Sequence, residues 1–246
     1  AVNQIVHRSN NRLEEDMAVL VKHRVPIVIT SLGARPEINE AVHSYGGIVL
    51  HDVTTNRFAH KAIEKGADGL IAVAAGAGGH AGAQSPFALI REIRAWFDGP
   101  LALSGSITHG RSILAAQAMG ADFAYIGSAF LATKESNAPE PQKQLMFEST
   151  AEDIVYSNLF SGVHGNYLRG SITASGLDPD NLAQSDSSAM SFGTGAKTEA
   201  KAWRDIWGSG QGIGELTGSV TTQELVSRLK REYDEAREEM ALLLSA

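Results

Sequence analysis

The chain has 246 residues, 43% hydrophobic side chains, 25 glycines, no cysteine and a net charge of −7. That length and apolar content support one substantial core, and the lack of cysteine excludes disulfides, thiolate catalysis and Cys-ligated metal or iron–sulfur centres. An acidic balance without a basic, aromatic-interleaved stretch argues against a nucleic-acid surface, and no apolar run approaches the roughly 20 residues that cross a bilayer. The N-terminus lacks a signal-peptide pattern, so a cytoplasmic protein with neither nucleic-acid nor membrane partners is expected.

Ala1-Val2-Asn3-Gln4-Ile5-Val6 reads as a strand already under way. The first helix is expected over 12–23, with Asn10 or Asn11 as N-cap and Leu13, Met17, Leu20 and Val21 as its apolar stripe. Val25 to Thr30 reads as a buried strand, Pro36 opens the next helix, and Gly46-Gly47 stops it before Ile48-Val49-Leu50. Helices over 58–65 and 111–119 end at Gly66 and Gly120. Each is followed by the same Gly-Ala-Asp tripeptide. This repeat predicts a left-handed glycine C-cap and an aspartate, Asp68 or Asp122, that satisfies turn amides rather than doing chemistry.

Strand-like runs thus begin near Val2, Val25, Gly47, Gly69, Pro100 and Asp122, about 23, 22, 22, 31 and 22 residues apart. Six βα units predict part of a (β/α)8 TIM barrel, whose functional loops follow the strands. Two further units, on the order of 45 to 60 residues, are expected upstream. The barrel units occupy 1–133. A helical and loop-rich lid over the barrel mouth is expected over 134–220, and a helix packing on the barrel over 221–246. That last helix opens with a capping box, Thr221-Thr222-Gln223-Glu224.

The one long interval contains Ala74-Ala75-Gly76-Ala77-Gly78-Gly79-His80-Ala81-Gly82. Its glycines allow positive φ and close approach to a flat ligand, and its histidine can exchange a proton near neutral pH. Two later strands run into Gly105-Ser106 and Gly127-Ser128, the place where this architecture binds phosphate through backbone N–H groups. Thr108 is expected to cap the following helix and aim its positive end at the anion. His51 and His7 fall at strand ends that could face the pocket, and His164 lies on a glycine-flanked loop that could cover it. Trp203 and Trp207, one helical turn apart, read as core.

The glycine loop, Ser104-Gly105-Ser106-Ile107 and Ile126-Gly127-Ser128-Ala129-Phe130 together resemble the nitronate monooxygenases, FMN-dependent TIM barrels. Trp207-Gly208-Ser209-Gly210-Gln211-Gly212 is similar to a late motif of that family. The resemblance implies His80 as the catalytic residue beside the flavin, in a loop carrying Gly78 and Gly79. It implies Gly105, Ser106, Gly127 and Ser128 as FMN-phosphate donors, Asn3 as a flavin contact, and Gln211 near the ring. The implied reaction is oxidation of alkyl nitronates, or nitroalkanes, by O2 to carbonyl compounds and nitrite. An NAD(P)H-dependent enoyl-[acyl-carrier-protein] reductase is the alternative, and a non-catalytic phosphate-ligand-binding barrel a third. No metal is expected, and a homodimer stays open. The chain departs from the family where Gly-Gly-Ile becomes Gly105-Ser106-Ile107, where Gly-Thr-Arg-Phe becomes Gly127-Ser128-Ala129-Phe130, and where some members place a lysine after the histidine of His51-Asp52.

Overall fold

The structure, a computed structural model, describes residues 1–185 and 204–245. Six parallel strands, β1 (Val2–Ile5), β2 (Ile27–Ser31), β3 (Ile48–Val53), β4 (Gly69–Val73), β6 (Leu101–Ser104) and β7 (Phe123–Tyr125), pair in chain order. The intervening helices are α1 (Leu13–Lys22), α2 (Pro36–His43), α3 (Asn56–Glu64), α4 (Pro86–Arg94) and α5 (Gly110–Met119). Strand, helix and neighbouring parallel strand repeated without reversal is the wall of a (β/α)8 barrel.

The side chains of each strand divide between two surfaces, because successive residues point to opposite faces. Outward residues such as Val28 and Val49 pack against Leu13, Met17, Leu20, Ile38 and Val42 of α1 and α2. Leu70, Leu101 and Leu103 pack against Leu89, Ile90 and Ile93 of α4. Inward residues Ile29, Leu50, Ile71, Val73 and Ala102 form a smaller cluster with Ala77 and Ala81. His51 shares the outward parity of Val49 and Val53. It is buried, its Nδ1 lies 2.6 Å from Thr30 Oγ1, and so it does not face the pocket as its strand-end position suggested.

The repeated Gly-Ala-Asp turn behaves alike in both copies. Gly66 and Gly120 have φ of +92° and +112°, which only glycine adopts freely. Asp68 accepts the Val49 amide and contacts His43, while Asp122 accepts the Leu101 amide and the Arg94 guanidinium. Each aspartate therefore ties one strand start to its neighbour. The first helix begins a residue later than expected, at Leu13, with Asn10 Oδ1 accepting the Arg12 amide.

Beyond β7 come α6 (Ser128–Leu131) and α7 (Glu140–Phe147), and then two strands that the sequence does not announce, β8 (Ile154–Ser157) and β9 (Gly165–Leu168). They join a two-residue strand, β5 (Gly79–His80), in a small antiparallel sheet ordered β5-β9-β8. The segment after Thr133 is therefore not only helical and irregular, since it grips the glycine loop by main-chain pairing. After α8 (Arg169–Ala174) comes the long α9 (Thr222–Ser245), which packs on α5 and carries the expected reciprocal Thr221–Glu224 capping bonds. Among the described residues, no helix is long and apolar enough to cross a membrane.

Asp122→Ala leaves the Leu101 amide without its side-chain acceptor and removes the Arg94 Nη2 partner, and is expected to lower stability by about 1–2 kcal/mol, measured by denaturant unfolding. Burial pushes His51 down to about 4, chiefly by desolvation. The unfolded chain therefore binds a proton there between about pH 6.5 and 4 that the folded chain refuses, so stability falls as pH drops through that window. His51→Gln is expected to make that fall shallower by one proton, about 1.4 kcal/mol per pH unit, in unfolding curves collected across the range.

Candidate active site

Three backbone segments meet at the C-terminal ends of the strands: the loop 76–79, the turn 104–108 and the segment 207–212. Their contact is close enough to exclude side chains. A Cβ on Gly78 would lie 2.7 Å from the Gly210 amide nitrogen, and one on Gly210 would lie 2.7 Å from the Gly76 carbonyl. A Cβ on Gly105 would lie 2.8 Å from the Ala75 carbonyl. The Gln211 amide donates to Gly76 O at 2.9 Å. Most of these glycines thus serve backbone-on-backbone packing rather than approach to a ligand. Gly127 differs, because nothing lies within 4 Å of its Cβ position.

These segments border a cavity of about 410 Å³. Gly78, Gly79, Gly105, Ser106, Gly127 and Ser128 all line it, together with Tyr125, Gln142 and Trp207. Gln211 sits against Gly76 at its edge. Asn3 lies apart on β1, donating through Nδ2 to Ser31 Oγ at 2.9 Å. Trp207 packs against the core formed by residues such as Met146, Leu168 and Ile213, as expected, and also borders the cavity, while Trp203 lies outside the described residues.

The expected cap is corrected. Thr108 Oγ1 donates toward Gly212 O and Glu215, both at 2.9 Å, while His109 is the α5 N-cap and accepts the Arg111 amide. The Gly110 amide is taken by Glu232 of α9, so a carboxylate from this chain already occupies the start of α5. Ser106's own amide donates to Gly76 O at 3.3 Å. The reason is α9, which packs along α5 and brings Glu232 to the helix end where an anion was expected. Ser106 also has φ +54°, a left-handed conformation that costs any non-glycine residue energy.

His80 is half-buried on β5, paired through its neighbour Gly79 with Asn166 of β9. Its Nε2 lies 2.8 Å from Ser161 Oγ, and that hydroxyl donates onward to Val163 O at 3.1 Å. Ser161 Oγ thus stands between His80 Nε2 and the Val163 carbonyl, with the Tyr167 hydroxyl 3.5 Å away. Desolvation pushes His80 down to about 4, so the ring is neutral at pH 7. Asn166, fully buried, donates to Ala77 O at 2.7 Å and fixes the loop from below. Ser161 and Asn166 escaped the sequence reading, although His164 in the same Gly162–Tyr167 segment had flagged that loop. His164 itself stacks on Tyr156, whose hydroxyl donates to Ala81 O. Among the described residues, no cluster could hold a metal ion.

A family model described as nitronate monooxygenase matches residues 1–232. The nitronate monooxygenase of Paraburkholderia phytofirmans is 28% identical over 241 residues, covering 91% of this chain and 65% of its own. Nitroalkane oxidase from Streptomyces ansochromogenes superposes with a TM-score of 0.72 at 25% identity, covering 92% of this chain and 69% of that one. FabK from Thermotoga maritima shares the fold, with a TM-score of 0.77 at 20% identity over 97% of this chain and 77% of its own. The matches cover 33% to 65% of the length of the curated relatives. A match along nearly its whole length makes this chain a member of the nitronate monooxygenase family.

Proposed function

We propose that this site binds FMN and oxidises alkyl nitronates, and their neutral nitroalkane parents, with O2 to carbonyl compounds and nitrite. The observation that carries this reading is the cavity that Gly78, Gly79, Gly127 and Ser128 line, with His80 next in sequence to Gly79, within a chain of this family. Backbone at Gly127 and Ser128 would hold the phosphate, with Gly105 and Ser106 lining the same cavity. Bound FMN supplies the electron acceptor.

His80 acts first where the substrate is a neutral nitroalkane. The lone pair of its neutral ring takes the α-proton, the C–H electron pair becomes the C=N bond, and the charge passes to the nitro oxygens. Ser161 Oγ, 2.8 Å from Nε2, holds the ring in place. A nitronate has already lost that proton and needs His80 only for placement. The small sheet β5-β9-β8 backs this side of the loop and helps keep water from the reacting carbon.

A purified chain with flavin absorbance, releasing FMN on denaturation and forming nitrite from a nitronate, is the expected result. Colourless protein without affinity for added FMN favours the non-catalytic barrel, and rapid flavin reduction by NAD(P)H with enoyl turnover favours the reductase. His80→Asn is expected to leave FMN affinity unchanged while lowering nitroalkane turnover about 10²–10⁴-fold, with a smaller loss on the nitronate. Equal losses on both would remove the base role. Ser106→Gly relieves the left-handed strain and is expected to raise stability by about 0.5–1 kcal/mol with FMN affinity retained, measured by unfolding and by flavin fluorescence. Weaker FMN binding there would instead make the serine hydroxyl a phosphate contact.

A further inference from the structure

Gln142, in the first turn of α7, lines the cavity and is only 8% exposed, yet its carboxamide forms no hydrogen bond among the described residues. A buried amide without a partner costs free energy, so its presence calls for something that meets it. The group is not sealed in, as Gln84 Oε1 is, but opens on the cavity.

Two contacts fix where along the cavity it stands. The neighbouring Lys143 is buried and donates through Nζ to Thr133 O at 2.7 Å and Ser136 O at 3.0 Å, which ties the first turn of α7 to the chain just after α6. Met146, one turn on and on the same helix face as Gln142, packs with Leu168, Ile213 and Leu216. Leu131, the last residue of α6, lines the cavity as Gln142 does. Gln142 therefore belongs to the end of the cavity that α6 builds, and α6 begins at Ser128.

Ser128 brings a second uncommitted proton to that end. Its Oγ accepts the Gly210 amide at 2.9 Å and the Ser209 hydroxyl at 3.3 Å, which fills both lone pairs and leaves its own O–H for a third partner. Among the described residues lining the cavity there is no lysine, arginine or histidine, so an anion bound there is held by neutral donors. A phosphate monoester presents three strong acceptor oxygens and can take several such donors at once.

We propose that Gln142 is a ligand-binding residue whose carboxamide N–H, with the Ser128 hydroxyl, donates to the phosphate monoester of a bound flavin, so that the site prefers FMN to the unphosphorylated riboflavin. The proposal rests on the FMN reading above.

The test is a fluorescence titration of the purified chain with FMN and, separately, with riboflavin. Gln142→Met keeps the unbranched shape and removes the donor. Its Kd for FMN is expected to rise about 10–100-fold while that for riboflavin stays unchanged. Gln142→Glu sets a carboxylate against the phosphate and is expected to weaken FMN further, again sparing riboflavin. Thermal unfolding identifies which variants are folded, and either one alone decides. A folded variant with an unaltered preference for FMN overturns the proposal. Equal weakening of both flavins also overturns it, because Gln142 would then meet the part they share. An unsubstituted chain that binds the two flavins equally sinks the phosphate contact but keeps the flavin site, whereas one that binds neither removes the functional reading itself.

Discussion

The site depends on three stretches of main chain lying against one another with no room for a Cβ between them. Gly76 and Gly78 in the first loop, Gly105 in the second and Gly210 in the third each occupy a place where a methyl group would meet backbone at under 3 Å or, at Gly76, the Ser106 hydroxyl. Backbone cannot give way as a flexible side chain can, so the constraint is steric and local. Its consequence is a floor made of peptide groups, rigid and polar, on which the cavity opens at Gly127. The segment 207–212 comes from beyond the barrel strands, yet through the Gln211 amide it is as much a part of that floor as the loop after β4.

A second ordering principle is the alternation of side chains along the parallel strands. One residue of register separates His51, directed outward onto Thr30, from Asp52, which has the opposite, inward parity and accepts from Ser31. The two neighbours accordingly meet opposite fates. The outward imidazole is buried and kept neutral, whereas burial raises the inward carboxylate to about 6 against the pull of its hydroxyl and amide donors. The same alternation places Ser104 and Tyr125 side by side on β6 and β7, where both line the cavity.

The repeating βα beat was legible because each unit carries local signals: proline at a helix start, glycine at a helix end, and an aspartate that bonds the next strand. These act over a few residues and need no tertiary partner. The glycine loop was legible as a site for a similar reason, although the purpose of most of its glycines was not, since their neighbours lie about 30 and 130 residues away. Strands β8 and β9 went unseen because they exist through pairing with a two-residue strand at His80, and a match at that separation leaves no local period. Thr108 misled for a related reason. As an N-cap it fits by sequence, but α9 brings Glu232 to the start of α5 and draws the cap one residue on, to His109.

Electrostatics then unites the site with its chemistry. The glycine floor offers peptide dipoles without a charge. His80 is neutral with its Nε2 against Ser161 Oγ, and the Tyr125 phenol is raised by burial and by the charge of Asp52. Among the described residues, no lysine or arginine lines the cavity. Such a pocket has little to attract an anion beyond its amides, so in the proposed reading a phosphate would sit at the backbone near Gly127 and Ser128. The proposed nitroalkane would arrive uncharged and acquire its negative charge only when His80 removes a proton. Dipoles fixed in advance and one imidazole lone pair suffice for that step, because the new charge appears where the peptide groups are already aligned.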